Sequence, residues 1–306
     1  MAVSTDQNIT ADTDALRVPS VGDFWSLLKP RVMSLVIFTG FAGMYLAPGD
    51  IHPLVFVISL FAIAAGAGAS GAINQWYDRD IDAVMTRTQS RPIPAGLMEP
   101  AEALTMGLVI SALSVLVLGL AANWLAAGLL AFTIFFYGVV YTIWLKRRTP
   151  QNIVIGGAAG ALPPVIGWAA VTGSLSVEPL LLFALIFMWT PPHFWALSLY
   201  RSGDYEKAGV PMMPVVSGIE ETKRQILIYT LLLFPLTLMP ALVGMISLTG
   251  GLIIGALGIW FIRHALLVLK SERPEEPRAM FRYSILYLFL VFVVLLADHA
   301  LLTAGA

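Results

Sequence analysis

The sequence predicts an all-α membrane protein with nine transmembrane helices, bundled around a central apolar cavity that opens to the cytoplasmic side. Composition is the first observation behind this prediction. The 306 residues are 58% hydrophobic and 12% charged, whereas about a quarter of the residues in soluble domains are charged. The second observation is that the chain divides into apolar runs of bilayer length, and the third is that its basic residues fall in every second loop.

The apolar runs define the predicted spans. A spanning helix needs about 20 mostly apolar residues, because lipid offers no water to backbone groups and the helix satisfies them internally. Prolines inside the runs, such as Pro163, Pro164, Pro191, Pro192 and Pro235, predict kinks or breaks. The nine runs that meet the length requirement are 32–48, 53–76, 102–121, 123–144, 152–172, 179–200, 226–247, 249–269 and 283–303.

The positions of the basic residues predict the orientation of these spans. All eighteen Lys and Arg lie before the first run or near the junctions of runs 2 and 3, 4 and 5, 6 and 7, and 8 and 9. The alternate loops and the C-terminal tail carry none. Because basic loops stay on the cytoplasmic side, the N-terminus is predicted to be cytoplasmic and the C-terminus outside.

The N-terminal segment resembles neither kind of cleaved targeting signal. It lacks the basic, apolar and cleavage regions of a secretory signal, and its acids are unlike an arginine-rich transit peptide. We therefore expect a disordered cytoplasmic tail at residues 1–23, a single domain at residues 24–306, and a bacterial plasma (inner) membrane. The sequence has no cysteine, which excludes disulfides and thiolate metal sites, and its charge pattern gives no support to nucleic-acid binding.

The segment NQWYDRDIDAVMTRTQSR, directly after the second run, is the main candidate site. Each residue of a helix turns about 100° and rises about 1.5 Å, so Asn74, Asp78 and Asp82 form one polar stripe and Asp80 points away. Two carboxylates and an amide oxygen suit Mg²⁺, which keeps several waters and completes its shell with substrate phosphate oxygens. The stripe therefore predicts a magnesium site that receives a diphosphate.

Arg87 and Arg91 follow the stripe within a short loop. Guanidinium groups bind phosphate oxygens through paired hydrogen bonds, which strengthens the prediction of a diphosphate site. A simpler interpretation is that the aspartates and arginines only mark where the second span leaves the membrane. The regular spacing of the stripe, directly after a long apolar run, favours the functional interpretation.

Four segments together resemble a known family. NQWYDRDIDAVMTRTQSRPIPAG resembles the first aspartate-rich motif, N-x-x-x-D-x-x-x-D followed by R-x-x-x-R-P, of the UbiA superfamily of intramembrane prenyltransferases. LLKPRVMSLV, LKRRTPQNIVIGGAAGALPPVIGW and WTPPHFWALSLYRSGDYEKAGVPMMP resemble the branch of that superfamily that farnesylates haem. The resemblance runs from about residue 24 to the last span.

The resemblance implies a reaction and a set of site residues. The reaction is transfer of a farnesyl group from farnesyl diphosphate to a vinyl group of haem B, with addition of water, giving haem O and diphosphate. Implied partners are these two substrates, the lipid bilayer and, from the pathway, haem A synthase or cytochrome oxidase assembly factors. Mg²⁺ would be held by Asn74, Asp78 and Asp82, and the diphosphate would be contacted by Arg87, Arg91, Lys146 and Arg147, with Lys29 and Tyr141 as further candidates.

The second aspartate motif of the superfamily is altered in this chain. His193 and Tyr200 stand where aspartates are usual, and only Asp204 is acidic. By the resemblance, Asp204 is a candidate metal ligand, and His193 and Tyr200 are candidate contacts of haem. A histidine packed inside the bundle is the alternative for His193, and His264 is a rival haem ligand.

Two other functions remain open at this stage. A multi-span transporter would also show many spans and conspicuous aspartates, but transporters usually place ionisable groups near the bilayer midplane, whereas these acids cluster at span ends. Prenylation of an aromatic quinone precursor is the alternative within enzymes. The altered second motif and the presence of His193 speak against it.

Overall fold

The structure, a computed structural model, describes residues 18–304 and within that range contains helices and loops but no strand. Among the described residues, eight helical spans are long and apolar enough to cross a membrane, and one bent pair of helices near the N-terminus makes a ninth if the pair counts as one span. The predicted all-α membrane fold is confirmed.

The short helices that lie outside the spans are found on one side of the bundle. The first part of the described chain contains α1 (Val21–Leu27), α2 (Pro30–Leu46), α3 (Pro53–Tyr77), α4 (Arg79–Val84), α5 (Pro100–Ala121) and α6 (Trp124–Phe135), which continues as a π-helix (Phe136–Leu145). The second part contains α7 (Asn152–Ala161), α8 (Pro163–Thr172), α9 (Val177–Tyr200), α10 (Ser202–Lys207), α11 (Met213–Val216), α12 (Ile219–Leu242), α13 (Leu248–Lys270) and α14 (Glu275–Ala304). The short helices α4, α10 and α11 all lie in basic loops, so that side of the bundle, the charged end, carries most of the structure outside the spans.

The chain enters the bundle through a bend between α1 and α2. Helix α1 begins at Val21, inside the tail predicted for residues 1–23, because Ser20 and Asp23 form a capping box. Residues 1–17 of that predicted tail lie outside the described residues. Lys29 has a left-handed backbone (φ 52°) between α1 and α2, whose axes differ by 54°. The bend brings the lysine next to the end of α3.

The prolines act differently from one span to another. Pro163 begins α8 directly after α7 ends, so the predicted fifth span is broken there. In contrast, α9 continues through Pro191 and Pro192, and α12 continues through Pro235, so these prolines do not break their helices. Neighbouring helices that cover the freed carbonyl groups make such prolines tolerable in a bundle.

Two buried apolar clusters hold the bundle together. The larger joins α2 and α8 with α9, α12, α13 and α14, and the smaller joins α3, α5, α6 and α8. Helices α2 and α8 approach so closely that a Cβ atom on Gly43 would overlap the backbone of Pro164, and one on Gly167 would overlap the carbonyl oxygen of Gly40. Small residues at such contacts let membrane helices pack tightly.

We expect Gly43→Ala to lower the thermal stability of the protein in detergent. The added methyl group meets backbone atoms of Pro164, which cannot move aside without separating α2 from α8, and overpacking of this kind costs about 1–3 kcal/mol or more. Gly160→Ala in α7 is the matched control, because its new Cβ meets no atom within 4 Å. Equal melting temperatures for the two variants would contradict the prediction.

Candidate functional site

The polar stripe lies where α3 meets α4. The side chains of Asn74, Asp78 and Asp82 are buried, at 4%, 0% and 2% exposure, whereas Asp80 is exposed. Asp78 stands between the two helices, but its N–H donates to the Asn74 carbonyl at 2.9 Å and its carbonyl accepts from the Asp82 N–H at 2.8 Å. The helical path thus continues across the break, and the predicted division between the stripe and Asp80 is confirmed.

Three basic side chains from different parts of the chain meet the stripe. Lys146, directly after the π-helix, forms an ion pair with Asp78. Arg91 donates to Asp82 Oδ2 at 2.5 Å, and Lys29 Nζ donates to the amide oxygen of Asn74 at 2.8 Å. The structure therefore brings together Lys29, Arg91 and Lys146, which follow one another at intervals of 62 and 55 residues along the chain.

Arg147 takes a different direction from its neighbour Lys146. Its guanidinium donates to both oxygens of Asp80, at 2.6 and 2.7 Å, and lies 4.7 Å from the centre of the Tyr77 ring. These hydrogen bonds hold the pKa of Asp80 below its usual value and raise that of Arg147. Arg147 reaches the stripe only at 3.7 Å from Asp78 Oδ1, so its predicted role at the diphosphate requires it to leave Asp80.

The π-helix supplies a contact that the sequence analysis missed. The Thr142 hydroxyl donates to the carbonyl of Tyr137, five residues earlier, at 2.8 Å, and accepts from Asn74 Nδ2 at 3.1 Å. The same amide nitrogen donates to Asp78 Oδ2 at 2.7 Å. Thr142 therefore fixes which way the Asn74 amide faces. The signal in the sequence was a polar residue in an apolar run, one helical turn before the basic cluster.

Tyr141 lies beside this contact but faces α7. Its ring packs against Gly156, where a Cβ atom would overlap it, and lies 5.3 Å from the ring of Tyr137. Its carbonyl accepts from the N–H of Lys146 at 2.9 Å, another five-residue step. Tyr141 thus supports the backbone that carries Lys146.

The aspartate-rich stretch at α3 and α4 and the acidic stretch at α10 lie together at the charged end. The Thr86 hydroxyl, after α4, donates to Asp204 Oδ1 in α10 at 3.2 Å. Arg87 lies within hydrogen-bonding range of the Tyr205 hydroxyl, whose pKa is raised chiefly by burial. Beneath these contacts is an apolar cluster of Ile81, Met85, Ile153, Tyr205, Val210 and Met212. Asp204 is therefore fixed close to the loop that carries the first motif.

Two carboxylate oxygens in these segments are buried without a hydrogen-bond partner, Asp78 Oδ1 and Asp204 Oδ2. Basic groups stand farther off, 3.7 Å from the first and 3.9 Å from the second. Buried oxygens of this kind fit a cation, because an unpaired buried acceptor is otherwise costly. Within residues 18–304 no three His, Asp or Glu side chains gather around one point. A metal held by these oxygens would take its other ligands from water and phosphate.

His193 and Tyr200 lie on the face of α9 that meets α14. The imidazole of His193 is buried between the rings of Trp189 and Phe281, with centroids at 4.2 and 4.7 Å. Tyr200 packs edge-on against Phe281 at 6.0 Å, with the guanidinium of Arg278 5.5 Å from its ring centre. Both side chains therefore belong to an aromatic cluster beside the acidic segments.

Comparison with known sequences gives one consistent result. Residues 36–296 match the UbiA prenyltransferase family. The chain is 57% identical, over the full length of both chains, to protoheme IX farnesyltransferase 2 of Mesorhizobium japonicum. It is 56% identical, over 98% of each chain, to protoheme IX farnesyltransferase of Parvibaculum lavamentivorans.

Solved structures share the fold at low sequence identity. A digeranylgeranylglyceryl phosphate synthase superposes with a TM-score of 0.76 at 18% identity, over 91% of this chain and 98% of that one. A UbiA homolog from Archaeoglobus fulgidus bound to GPP and Mg²⁺ superposes with a TM-score of 0.64 at 18% identity, over 89% of this chain and 99% of that one. This chain therefore shares its arrangement of helices with both solved structures.

Proposed function

Because this chain belongs to the UbiA prenyltransferase family, we propose that it is a membrane enzyme that transfers a farnesyl group from farnesyl diphosphate to a vinyl group of haem B. The bond between farnesyl C1 and the diphosphate oxygen breaks, and a carbon–carbon bond forms to the vinyl group. Water adds to the other vinyl carbon and loses a proton, which gives haem O. The extensive similarity to proteins named protoheme IX farnesyltransferase supports this choice of acceptor.

The cluster of Lys146, Asp78, Arg91 and Asp82 is the observation that carries the proposal. Departure of diphosphate from an allylic carbon leaves a concentrated negative charge, and fixed cations lower the barrier by stabilising that charge as it develops. Lys146 and Arg91 are already held at the charged end of the bundle by buried carboxylates. When diphosphate binds, both side chains would exchange part of these contacts for phosphate oxygens. Because they are already positioned, little conformational entropy would be lost in that step.

The residues that would hold Mg²⁺ are Asn74, Asp78, Asp82 and Asp204. A bound Mg²⁺ supplies charge neutralisation to the leaving diphosphate. The unpartnered oxygens of Asp78 and Asp204 support this assignment, while the hydrogen bond from Lys29 to the Asn74 oxygen means that Lys29 must move for the amide to bind a metal. The apolar bundle beneath keeps water from the farnesyl cation until the acceptor has reacted.

The apolar spans and the basic loops support a membrane location for the site and an orientation toward the cytoplasm. The chain is a multi-pass membrane protein, and the basic loops favour a site that faces the cytoplasm of a bacterium, with the N-terminus inside and the C-terminus outside. Both substrates are amphipathic, so entry from the inner leaflet suits them. Association with haem A synthase or with oxidase assembly factors is a further expectation, which co-purification would test.

The direct test uses purified protein with haem B, farnesyl diphosphate and Mg²⁺, and follows the porphyrin by mass spectrometry. We expect a product heavier than haem B by one farnesyl group and one hydroxyl group. A parallel reaction offers 4-hydroxybenzoate, an aromatic quinone precursor, in place of haem B. Prenylation of that acceptor with unmodified haem would reject the proposal in favour of quinone synthesis, and no consumption of farnesyl diphosphate would reject a prenyltransferase.

We expect Thr142→Val to weaken divalent-metal binding about tenfold, because loss of a group that orients a ligand typically costs 10–100-fold in metal affinity. Valine has nearly the shape of threonine but cannot accept from Asn74 Nδ2. Thr133→Val is the control, since the Thr133 hydroxyl donates only to the carbonyl of Leu129. Binding is measured by Mn²⁺ electron paramagnetic resonance with a non-hydrolysable farnesyl diphosphate analogue, and equal affinities for both variants would exclude this role.

A further inference from the structure

His193 is oriented by a single hydrogen bond and by the rings of Trp189, Phe194 and Phe281. Its imidazole is 8% exposed, and it stacks nearly parallel to both Trp189 and Phe281, at interplanar angles of 19° and 24°. Nδ1 lies 2.6 Å from the hydroxyl oxygen of Ser284 in α14. The ring can neither tilt nor rotate without breaking these contacts.

The serine hydroxyl decides which ring nitrogen carries the proton. Ser284 Oγ also lies 2.7 Å from the carbonyl oxygen of Phe281, one turn earlier in α14. A hydroxyl has one proton, so when it donates to that carbonyl its oxygen accepts from the histidine. Both contacts are satisfied together only if His193 carries its proton on Nδ1. In a neutral imidazole the other nitrogen, Nε2, then holds a free lone pair.

The Nε2 lone pair accepts no hydrogen bond from the described residues. Among residues 18–304, Nε2 of His193 makes no hydrogen bond, and it is not one of the sealed, unpartnered side-chain atoms of the buried residues. It therefore keeps a small accessible surface. The indole Nε1 of Trp189 donates to the backbone carbonyl of Ser284 at 2.8 Å, so the same residue of α14 also fixes the ring that covers one face of the imidazole.

His193 lies inside the bundle, away from the charged end. It lies seven residues before the end of α9 at Tyr200, which corresponds to about 10 Å along the helix axis. A neutral imidazole nitrogen with a free lone pair is a common ligand of haem iron. Histidine ligands of metals usually donate their second ring N–H to a fixed acceptor, which sets the tautomer and the ring direction.

We propose that Ser284 is a positioning residue, which accepts from Nδ1 of His193 and so presents the Nε2 lone pair as an axial ligand to the iron of the haem substrate. This inference rests on the proposed function, because it requires haem B to enter the bundle. It adds a specific mode of binding: iron ligation would fix the distance of the porphyrin from α9 and thereby limit which edge of it can face the farnesyl group.

The test measures haem binding directly. Haem B is titrated into the purified full-length protein, and absorption and resonance Raman spectra report affinity and the iron–histidine bond. We expect a histidine-ligated spectrum for the unaltered protein, loss of that spectrum in His193→Gln, and about 10–100-fold weaker haem binding in Ser284→Ala. Ser284→Thr keeps a hydroxyl and is expected to restore most of the affinity.

The control isolates the contact to histidine from the loss of a buried hydroxyl. Ser198 in α9 is also buried and also bonds the carbonyl three residues earlier, that of Trp195, at 3.0 Å, so Ser198→Ala should leave haem binding unchanged. A Ser284→Ala protein with unaltered haem affinity and spectrum, or a histidine-ligated spectrum that persists in His193→Gln, overturns the inference while leaving the proposed function intact. An unaltered protein that binds farnesyl diphosphate but not haem overturns the proposed function itself.

Discussion

Asp78→Asn is expected to lower kcat/KM by at least about 10³-fold. The substitution keeps the size of the side chain but removes the charge that pairs with Lys146 and the oxygen that is buried without a hydrogen bond. If Asp78 binds the metal, the loss includes the metal's stabilisation of the leaving diphosphate, which is worth several kcal/mol, and about 1.4 kcal/mol corresponds to each tenfold change in rate.

Loss of fold must be separated from loss of chemistry in this variant, because removing one partner of a buried ion pair is itself destabilising by about 3–5 kcal/mol. The measurement therefore pairs steady-state kinetics with a thermal melt and with Mn²⁺ binding. Asp50→Asn, the same change at an exposed position on the opposite side of the bundle, is the matched control. Normal turnover by a folded Asp78→Asn protein would exclude the metal role.

Lys146→Met is expected to lower kcat by about 10²–10³-fold, with a smaller effect on KM for farnesyl diphosphate. Methionine keeps the length and apolar stem of the side chain but removes the ammonium group next to Asp78. Groups that act on the charge developing in the transition state, rather than on the bound substrate, change kcat by this amount when removed. Lys146→Arg keeps the charge in a different shape and should recover only part of the rate.

Arg148→Gln is the control for this second prediction, because Arg148 is exposed and lies two residues from Lys146. It reduces the positive charge of the same loop without touching the buried pair, so its kinetics should stay close to those of the unaltered protein. A comparable loss of kcat in both variants would mean that the loop attracts the diphosphate only by its overall charge.

Lys146 and Arg147 have different partners, which the sequence did not predict. Both stand in one basic cluster, and by resemblance both were predicted to contact the diphosphate. In the structure the last turns of the π-helix direct Lys146 to Asp78 and Arg147 to Asp80. Hydrogen bonds that span five residues instead of four rotate every later side chain about the helix axis. The local composition does not predict this change of hydrogen bonding.

The sequence by itself determined the membrane class, eight of the spans, the separation of charge and the polar stripe. These properties are local, since each depends on composition over about 20 residues or on the fixed turn of a helix. Tertiary structure decided the partners. Thr142 meets Asn74 across 68 residues, Ser284 meets His193 across 91, and Thr86 meets Asp204 across 118. Such contacts depend on how the helices pack against one another, and the sequence of a single helix does not determine that packing.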